Sequence, residues 1–316
     1  MRSAVIDLGS NTFHLLVADV DQFGIRRVLG DHKIAVRIGE QAFAQGLIPD
    51  DAYARGLAAL DELRARSQGH PLRVVATGVF RETANASQFL ADAGERSGLA
   101  IELLDTWEEA RLTWTGVSAE LAGSHGKLAV IDLGGGSLEC ALGTSSMDRA
   151  HGLPLGVLRL RELAPEAVRR AVFDALADPI RELRAANPDT VALSSGTARA
   201  LFRLGRGLGL VAEGQRHVWR RTLGDLARML APLRGDALAC LGVAPARLDT
   251  IATGAIVLHT ALELLNRPVA YVARSALREG ALIDLVRQQV ASIDQDAGSH
   301  ARYDATAWKR KSINGR

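Results

Sequence analysis

The chain has 316 residues, enough for about two domains, and its 47% hydrophobic content gives each of them apolar side chains for its own core. Lys and Arg total 38 against 36 Asp and Glu, a net charge of +2, so a broad basic surface for nucleic acid is not expected. No apolar run is long enough to span a bilayer and the first residues lack a signal-peptide core, so we expect a cytoplasmic protein that binds neither membrane nor nucleic acid.

The first part of the chain is predicted to alternate strands and helices. Apolar runs at 4–8 and 13–20, separated by a polar glycine turn, predict a β-hairpin. The segments after it are predicted, in chain order, as a strand at 24–38, a helix at 50–67, a strand at 72–77, a helix at 89–95, a strand at 100–104 and a helix at 108–121. This alternation predicts a sheet covered by helices.

The pattern restarts after Lys127, with strands at 128–132 and 138–143 around a second glycine turn. Val5-Ile6-Asp7-Leu8-Gly9 aligns with Val130-Ile131-Asp132-Leu133-Gly134, which indicates two related halves. The later elements are predicted as helices at 165–186, 195–204, 222–233, 249–264 and 276–290 and strands at 190–193 and 269–272. We therefore predict domains at 1–126 and 127–291 and, because 292–316 has no apolar period, a mobile tail there.

The two glycine turns are candidate phosphate-binding loops. Successive backbone N–H groups in such turns bind anions, and glycine lets phosphate oxygens approach the main chain. Asp7 and Asp132 end the strands before the turns, and a carboxylate there repels phosphate unless a cation such as Mg²⁺ lies between them. One such hairpin alone is better explained as an ordinary capped turn, but two in one chain favour a site.

A candidate general base lies at the start of the helix that joins the two halves. Glu108 and Glu109 stand there, where a carboxylate can take a proton from an attacking water. Adjacent helical residues point about 100° apart, so only one of them faces a cleft between the halves. The alternative is that both acidic residues only complement the helix dipole.

Two further segments are candidate anion sites. Arg81 follows a strand at the sheet edge where α/β proteins carry their ligand loops, and it is suited either to bidentate phosphate binding or to an ion pair with Glu82 or Glu95. Ser195-Gly196-Thr197 follows a strand and opens a helix, so it is either an anion site or a plain N-cap.

Seven runs stand out in chain order: AVIDLGSNTFHLLVADV, LLDTWEEARLTWTGV, VIDLGGGSLECALG, LPLGVLRL, SSGTARAL, TGAIVL and ALREGALID. In this order and spacing they resemble the exopolyphosphatase and guanosine pentaphosphate phosphohydrolase family, over nearly the whole chain to about Leu285. That family belongs to the actin, sugar kinase and heat-shock ATPase superfamily. The resemblance implies an α/β fold of two ribonuclease H-like domains with the active site in the interdomain cleft.

The family's motifs imply roles for individual residues. Its first phosphate motif falls on Asp7, Gly9, Ser10, Asn11 and Thr12. Its second falls on Asp132, Gly134, Gly135, Gly136 and Ser137, closed by the acidic Glu139. The family's catalytic glutamate is the one before the alanine of Glu-Glu-Ala-Arg, which is Glu109 here, and Arg81 matches a phosphate-binding arginine. Departures from the family pattern are Thr106-Trp107, where Ser-Gly is usual, and Arg274-Ser275.

Together these patterns predict a metal-dependent exopolyphosphatase that removes the terminal phosphate of inorganic polyphosphate with a water molecule activated by Glu109. We expect Asp7, Asp132 and Glu139 to hold Mg²⁺, or Mn²⁺, and Ser195, Gly196 and Thr197 to contribute to phosphate binding. The small net charge predicts short chains as substrates.

Three other functions remain open. The nearest removes the γ-phosphate of guanosine pentaphosphate, and the others are an ATP-driven binding module and a weakly catalytic sensor of polyphosphate or alarmone. An ATP-binding relative needs an adenosine pocket, for which Ser195-Gly196-Thr197 and Thr253-Gly254-Ala255 are the candidate segments. A homodimer is plausible because members of the family often pair.

Overall fold

Two mixed sheets organise the computed structural model, in which residues 1–67 and 69–292 are described. The first sheet has the order β3-β2-β1-β4-β5 and consists of β1 (Arg2–Leu8), β2 (Thr12–Asp21), β3 (Gly24–Ala35), β4 (Leu72–Ala76) and β5 (Ile101–Leu103). The second has the order β10-β11-β9-β6-β7-β8 and consists of β6 (Leu128–Leu133), β7 (Leu138–Gly143), β8 (Met147–Leu153), β9 (Thr190–Ser194), β10 (His217–Trp219) and β11 (Val269–Val272). The predicted mobile tail lies outside the described residues, except for residue 292.

Helices cover the two sheets. They are α1 (Gly39–Gln45), α2 (Asp50–Arg66), α3 (Ala86–Ser97), α4 (Thr106–Glu120), α5 (Val157–Leu160), α6 (Pro165–Ala185), α7 (Gly196–Gly207), α8 (Arg220–Leu230), α9 (Gly235–Cys240), α10 (Ile251–Leu264) and α11 (277–292). Short 3₁₀ helices cover Gly78–Arg81 and Pro245–Arg247. Within the described ranges, no helix combines the length and the apolar character that crossing a bilayer requires.

The two sheets share one plan, as the repeated sequence predicts. In each sheet, three strands that are consecutive in the chain pair antiparallel. The first of these three also pairs in parallel with a later strand: β1 with β4 in the first sheet, and β6 with β9 in the second. Asp7 pairs with His14 across the first glycine hairpin, and Asp132 pairs with Glu139 across the second. The duplicated hairpin therefore places both aspartates at corresponding points, and the predicted two-domain α/β class is confirmed.

Two helices, α4 and α11, each pack against the sheet formed by the other half of the chain. The buried face of α4 packs in a cluster with β6, β7 and β9 of the second sheet, through Ala110, Trp114 and Val117. The buried face of α11 packs with β1, β2 and β4 of the first sheet, through Leu277, Ala281, Leu282, Ile283 and Val286. Each half of the molecule thus includes a helix from the other half of the chain. The predicted domain boundary between residues 126 and 127 stays a prediction.

The exchanged helices meet at two glycines with their backbones in contact. A Cβ added to Gly280 would lie 1.7 Å from the carbonyl oxygen of Leu112, and one added to Gly116 would lie 2.5 Å from that of Ala276. Only residues without a side chain permit so close an approach of two helices. Gly116 and Gly280 therefore set the distance between α4 and α11.

Several short elements were not predicted from the sequence: α1, α5, α9, β8 and β10. Strand β8 is mostly exposed or half-buried, and its sequence MDRAHGL lacks the apolar alternation that identifies a strand. Helix α5 has only four residues, too few for a helical period to show. Helix α5 nevertheless helps to position the site, since it lies against its glycine loops.

Candidate active site

A cavity of about 240 Å³ opens between the two halves, where both glycine hairpins end. Most of the predicted site residues line it: Asp7, Gly9, Ser10, Asn11, Thr12, Glu109, Asp132, Gly134, Gly135, Gly136, Ser137, Ser195, Gly196 and Thr197. Two predicted residues, Arg81 and Glu139, are not part of its lining. The structure therefore brings together predicted residues from four separate segments of the chain.

Both glycine loops are closed by the same kind of hydrogen bond. The N–H of Gly9 donates to the carbonyl of Thr12 (3.2 Å), and that of Gly134 donates to the carbonyl of Ser137 (2.9 Å). The first loop is also held from behind, because the hydroxyl of Ser10 accepts a hydrogen bond from the N–H of Val79 (3.2 Å). These hydrogen bonds fix the shape of the loops within the protein itself, which is what a phosphate site of backbone donors requires.

Side chains of both halves cover one side of the loops. A Cβ on Gly135 would lie 3.1 Å from the side chain of Leu158, and one on Gly136 would lie 2.3 Å from the ring of Phe43. Arg159 stacks on that ring at 4.0 Å, donates to the carbonyl of Gly136 (2.6 Å) and pairs with Glu82 of the first half. Helix α5 is thereby fastened to α1 across the cleft.

The cap of α4 determines which glutamate reaches the cavity. The carboxylate of Asp105 accepts from the N–H of Glu108 (2.7 Å), which fixes where the helix begins. Glu108 accepts two hydrogen bonds from Arg111, both of 2.7 Å, and does not line the cavity. Glu109 does line it, and its Oε2 accepts from Nη1 of Arg81 (2.6 Å).

Arg81 is a partner of Glu109 in this structure. Its Nη1 also donates to the carbonyl of Leu104 (2.9 Å), and its side chain is only 18% exposed. The alternative of a surface ion pair with Glu82 or Glu95 is not what the structure shows. The role of Arg81 as a phosphate ligand stays a prediction, and its observed contact is with the candidate base.

The cavity raises the pKa of its carboxyl groups. Burial raises the pKa of Glu109 to about 7; the positive charge of Arg81 opposes this shift, whereas the negative charges of Asp132 and Asp7 add to it. Burial also raises the pKa of Asp7 to about 6, against the opposing charge of Arg278. A carboxyl group that titrates near neutrality is suited to proton transfer at physiological pH.

Three carboxylate oxygens in this region have no hydrogen-bond partner within the part of the chain that the structure describes: Oδ1 of Asp7, Oδ1 of Asp132 and Oε1 of Glu139. Burial raises the pKa of Asp132, and that of Glu139 is raised well above its ordinary value by burial and by the charges of Glu109 and Asp132. Buried carboxylates without donors are costly, and a cation would satisfy them.

These oxygens fit a hard divalent cation such as Mg²⁺ or Mn²⁺. Among the described residues, no group of three or more His, Cys, Asp or Glu side chains is placed to hold a metal ion. Mg²⁺ commonly binds through one or two carboxylates, with water and substrate phosphates completing its shell. Asp7 and Asp132, which line the cavity, fit that arrangement, whereas Glu139 lies outside the lining.

Ser195 is the predicted N-cap, and its role in anion binding stays a prediction. Its hydroxyl accepts hydrogen bonds from the N–H groups of Thr197 and Ala198, both of 3.1 Å, so it is the N-cap of α7. It also lines the cavity, and its φ of +106° lies in a region that residues with a side chain rarely adopt. A strained backbone at a cavity is typical of functional sites.

Five charged or titratable residues of the lining were not predicted from the sequence: His14, Lys33, Arg199, Arg247 and Arg278. Nη1 of Arg278 lies 3.5 Å from Oδ2 of Asp7. His14 is buried and hydrogen-bonded to Asp31, and burial lowers its pKa to about 3. Three of them lie in runs that carry the family resemblance and could have been found there: His14 in AVIDLGSNTFHLLVADV, Arg199 in SSGTARAL and Arg278 in ALREGALID. Lys33 and Arg247 lie outside these runs.

Comparisons with known proteins place the chain in a family. The sequence profile of the Ppx/GppA phosphatase family matches residues 16–289. The chain is 31% identical over 302 residues to Exopolyphosphatase 1 of Mycobacterium tuberculosis, which covers 90% of this chain and 88% of that protein. It is 30% identical over 340 residues to Exopolyphosphatase 1 of Mycobacterium leprae, which covers 97% and 100%.

Solved structures share the fold. An exopolyphosphatase from Cytophaga hutchinsonii superposes with a TM-score of 0.80 at 22% identity, covering 91% of this chain and 98% of that one. A Ppx/GppA family member from Aquifex aeolicus superposes with a TM-score of 0.74 at 21% identity, covering 92% and 98%. The chain belongs to the Ppx/GppA phosphatase family. The predicted family, its actin-like fold and the enzyme class, a phosphoanhydride hydrolase, are confirmed.

Proposed function

We propose that this protein is an exopolyphosphatase, which hydrolyses the terminal phosphoanhydride bond of inorganic polyphosphate. The observation that carries the proposal is the position of Glu109, a buried carboxylate of near-neutral pKa that lines one cavity together with two glycine loops. The two mycobacterial relatives named exopolyphosphatase, about 30% identical over most of the chain, support polyphosphate as the substrate.

Glu109 accepts the proton of the attacking water. Arg81 holds one of its carboxylate oxygens, which orients the other toward the cavity and limits the rise in the pKa of the carboxyl group. The N–H groups of the two glycine loops donate to the oxygens of the transferring phosphoryl group. Phosphoryl transfer depends chiefly on positioning and electrostatic stabilisation, so a site of many backbone donors and few reactive side chains is sufficient.

Asp7 and Asp132 would hold the divalent cation, with Glu139 behind them. When bound, the cation neutralises negative charge on the phosphate oxygens. Arg278, 3.5 Å from Asp7, contributes a positive charge at the same end of the cavity. The short-chain preference predicted from the small net charge belongs to this proposal.

The two segments suggested for an adenosine pocket have close neighbours at their glycines. A Cβ on Gly196 would lie 2.2 Å from Nη2 of Arg247, and one on Gly254 would lie 2.4 Å from the side chain of Thr197. The guanidinium of Arg247 thus lies against the first of these segments, where a positive charge suits a phosphate better than an uncharged nucleoside. This arrangement favours an inorganic phosphate chain over ATP.

The test is phosphate release from polyphosphate, guanosine pentaphosphate and ATP, measured side by side with excess Mg²⁺. We expect the highest kcat/KM for polyphosphate and its loss in Glu109→Gln. A higher kcat/KM for guanosine pentaphosphate would establish that nucleotide as the substrate instead. Binding of all three without turnover would make the protein a sensor.

A further inference from the structure

Three charged side chains outside the cavity lining form a link that the proposed reaction does not use. They are Arg73 of β4, Arg111 of α4 and Asp284 of α11. Only 12% of the side chain of Arg73 and 11% of that of Asp284 are exposed, whereas the ion pair of Asp61 with Arg96 has 36% and 56% exposed. These mostly buried charges therefore differ from the ordinary ion pairs of the surface.

Asp284 is the centre of the link, because its two oxygens meet two different arginines. Oδ2 accepts from Nη1 of Arg73 (2.9 Å), and Oδ1 lies 2.9 Å from Nη2 of Arg111. Arg73 also donates to Glu102 of β5 (3.0 Å), and Arg111 also donates to Glu108 of its own helix (2.7 Å). One carboxylate of α11 thereby joins β4 to the first turns of α4, by a route that does not pass through Glu108.

The two elements that Asp284 joins carry the candidate base and its partner. Glu109 lies on α4, two residues before Arg111, and Arg81 ends the 3₁₀ helix that follows β4. The contact of 2.6 Å between Arg81 and Glu109 therefore depends on how α4 lies relative to β4. Misplacing a reacting group by 1 Å can cost about 10²-fold in rate.

Apolar packing alone does not explain why charges lie here. The buried face of α11 already packs against the first sheet through Leu277, Leu282 and Ile283. Charges taken out of water cost free energy that apolar side chains do not, so a buried ion pair is weak evidence for stability. Charged hydrogen bonds add direction, because an arginine and a carboxylate meet in a defined geometry. The link therefore fits a positioning role better than a purely stabilising one.

We propose that Asp284 is a positioning residue for Glu109. It holds α4 against β4 through Arg111 and Arg73, and so keeps the base at its distance from Arg81. Asp284 lies outside the cavity lining and acts only through Glu109. This inference rests on the proposed function, in which Glu109 accepts the proton of water. Loss of Asp284 should consequently lower kcat and leave KM nearly unchanged.

The first test measures kcat and KM for polyphosphate in Asp284→Asn, Glu109→Gln and the double variant. Asp284→Asn keeps the shape of the side chain and removes its charge, so kcat should fall about 10- to 100-fold. In the Glu109→Gln background the same change should alter kcat by less than about twofold, because no base remains to be positioned. The control Asp61→Asn breaks the pair with Arg96, which joins α2 to α3, and should leave kcat unchanged.

An equal loss in both backgrounds would overturn the proposal, since the defect would then not act through the base. An unchanged kcat in Asp284→Asn would overturn it as well. Arg73→Lys gives the same comparison should Asp284→Asn fail to fold, because it keeps the charge but not the planar guanidinium.

The second test needs no turnover. The pKa of the Glu109 carboxyl group is followed by NMR of protein labelled with ¹³C-glutamate, and its signal is assigned by its loss in Glu109→Gln. The charge of Arg81 lowers this pKa, so Asp284→Asn should raise it by weakening that contact. An unchanged pKa would overturn the proposal. If wild type hydrolyses no polyphosphate but the pKa rises as expected, the positioning role stands and the proposed function fails.

Discussion

Nη1 of Arg81, at the end of the 3₁₀ helix after β4, lies 2.6 Å from Oε2 of Glu109 in the first turn of α4. This contact joins a residue packed in the first half to a helix packed against the second sheet. The candidate base is consequently positioned by both halves of the molecule.

Replacing Glu109 tests its role directly. Glu109→Gln keeps the shape of the side chain but cannot accept a proton, so kcat should fall by roughly 10² to 10⁴-fold with little change in KM. Steady-state kinetics of polyphosphate hydrolysis measure this. Glu108→Gln is the matched control, since Glu108 is bonded to Arg111 and lies outside the cavity lining, and it should be nearly silent. Equal losses at the two positions would contradict the assignment.

The pH profile should report the ionisation of Glu109. Its pKa is raised to about 7, so the carboxyl group is protonated and inactive as a base below that value, and kcat/KM should rise with pH through about 7. Arg81→Met removes the positive charge that lowers this pKa, so the rise should move to higher pH. Arg81→Lys keeps the charge and should move it less.

The same two variants separate the possible roles of Arg81. If Arg81 acts as the partner of Glu109, its loss shifts the acidic limb of the pH profile to higher pH and lowers kcat at neutral pH. If Arg81 instead binds phosphate, its loss raises KM and leaves the acidic limb of the pH profile unchanged. Kinetics between pH 5.5 and 9 decide between the two.

The unpartnered carboxylates predict a pH-dependent effect of Mg²⁺ on stability. Because the folded-state pKa of Asp7 is raised from 3.8 to about 6, its ionisation costs stability as pH rises between those values, and that loss remains above them. A cation bound to the ionised form offsets this cost. Mg²⁺ should therefore raise the Tm more at pH 8 than at pH 5.

Asp7→Asn and Asp132→Asn provide the comparison for this effect. Each should raise the Tm without Mg²⁺ at pH 8 and reduce the additional gain from Mg²⁺. Calorimetry with and without the ion measures both quantities. A gain from Mg²⁺ that is the same in wild type and both variants would mean that these carboxylates do not hold the cation.

The crossing of α4 and α11 predicts a stability effect away from the cavity. Gly280→Ala would place a methyl group against the backbone of Leu112, which cannot move aside as a side chain does, and should lower the free energy of unfolding by about 1–3 kcal/mol or more. Gly207→Ala, on α7 with no atom within 4 Å of the added Cβ, should change it by less than about 1 kcal/mol. Urea unfolding measures both, and equal effects would contradict the close approach.

The sequence predicted the parts of the site that depend on short contiguous patterns. Each glycine loop and the aspartate before it lie within one hairpin, so Asp7 and Asp132 could be found from a repeated run of five residues. The choice of Glu109 over Glu108 needed the family resemblance, because neighbouring helical positions differ only in direction. The structure shows the physical basis of that choice in the Asp105 cap.

The remaining features depend on contacts between distant parts of the chain. Lys33 and Arg247 are single cations separated by a long stretch of sequence, and nothing in their immediate neighbours distinguishes them from surface residues. The apolar faces of α4 and α11 predict burial but not the sheet on which each helix packs. For this reason the full lining of the cavity and the packing of the two helices emerge only in three dimensions.

Phe43, Leu158 and Arg159 bear on the direction from which a polymer is degraded. Leu158 lies against Gly135 and Phe43 against Gly136, and the pair of Arg159 with Glu82 bridges the halves beside them. On the proposed function, a chain that enters from the opposite side of the cavity would meet these side chains beyond the loops, and the loops would receive a terminus and not an internal stretch. The cavity is thus closed on one side by Phe43, Leu158 and Arg159, and on the proposed function this closed side restricts cleavage to the end of the chain.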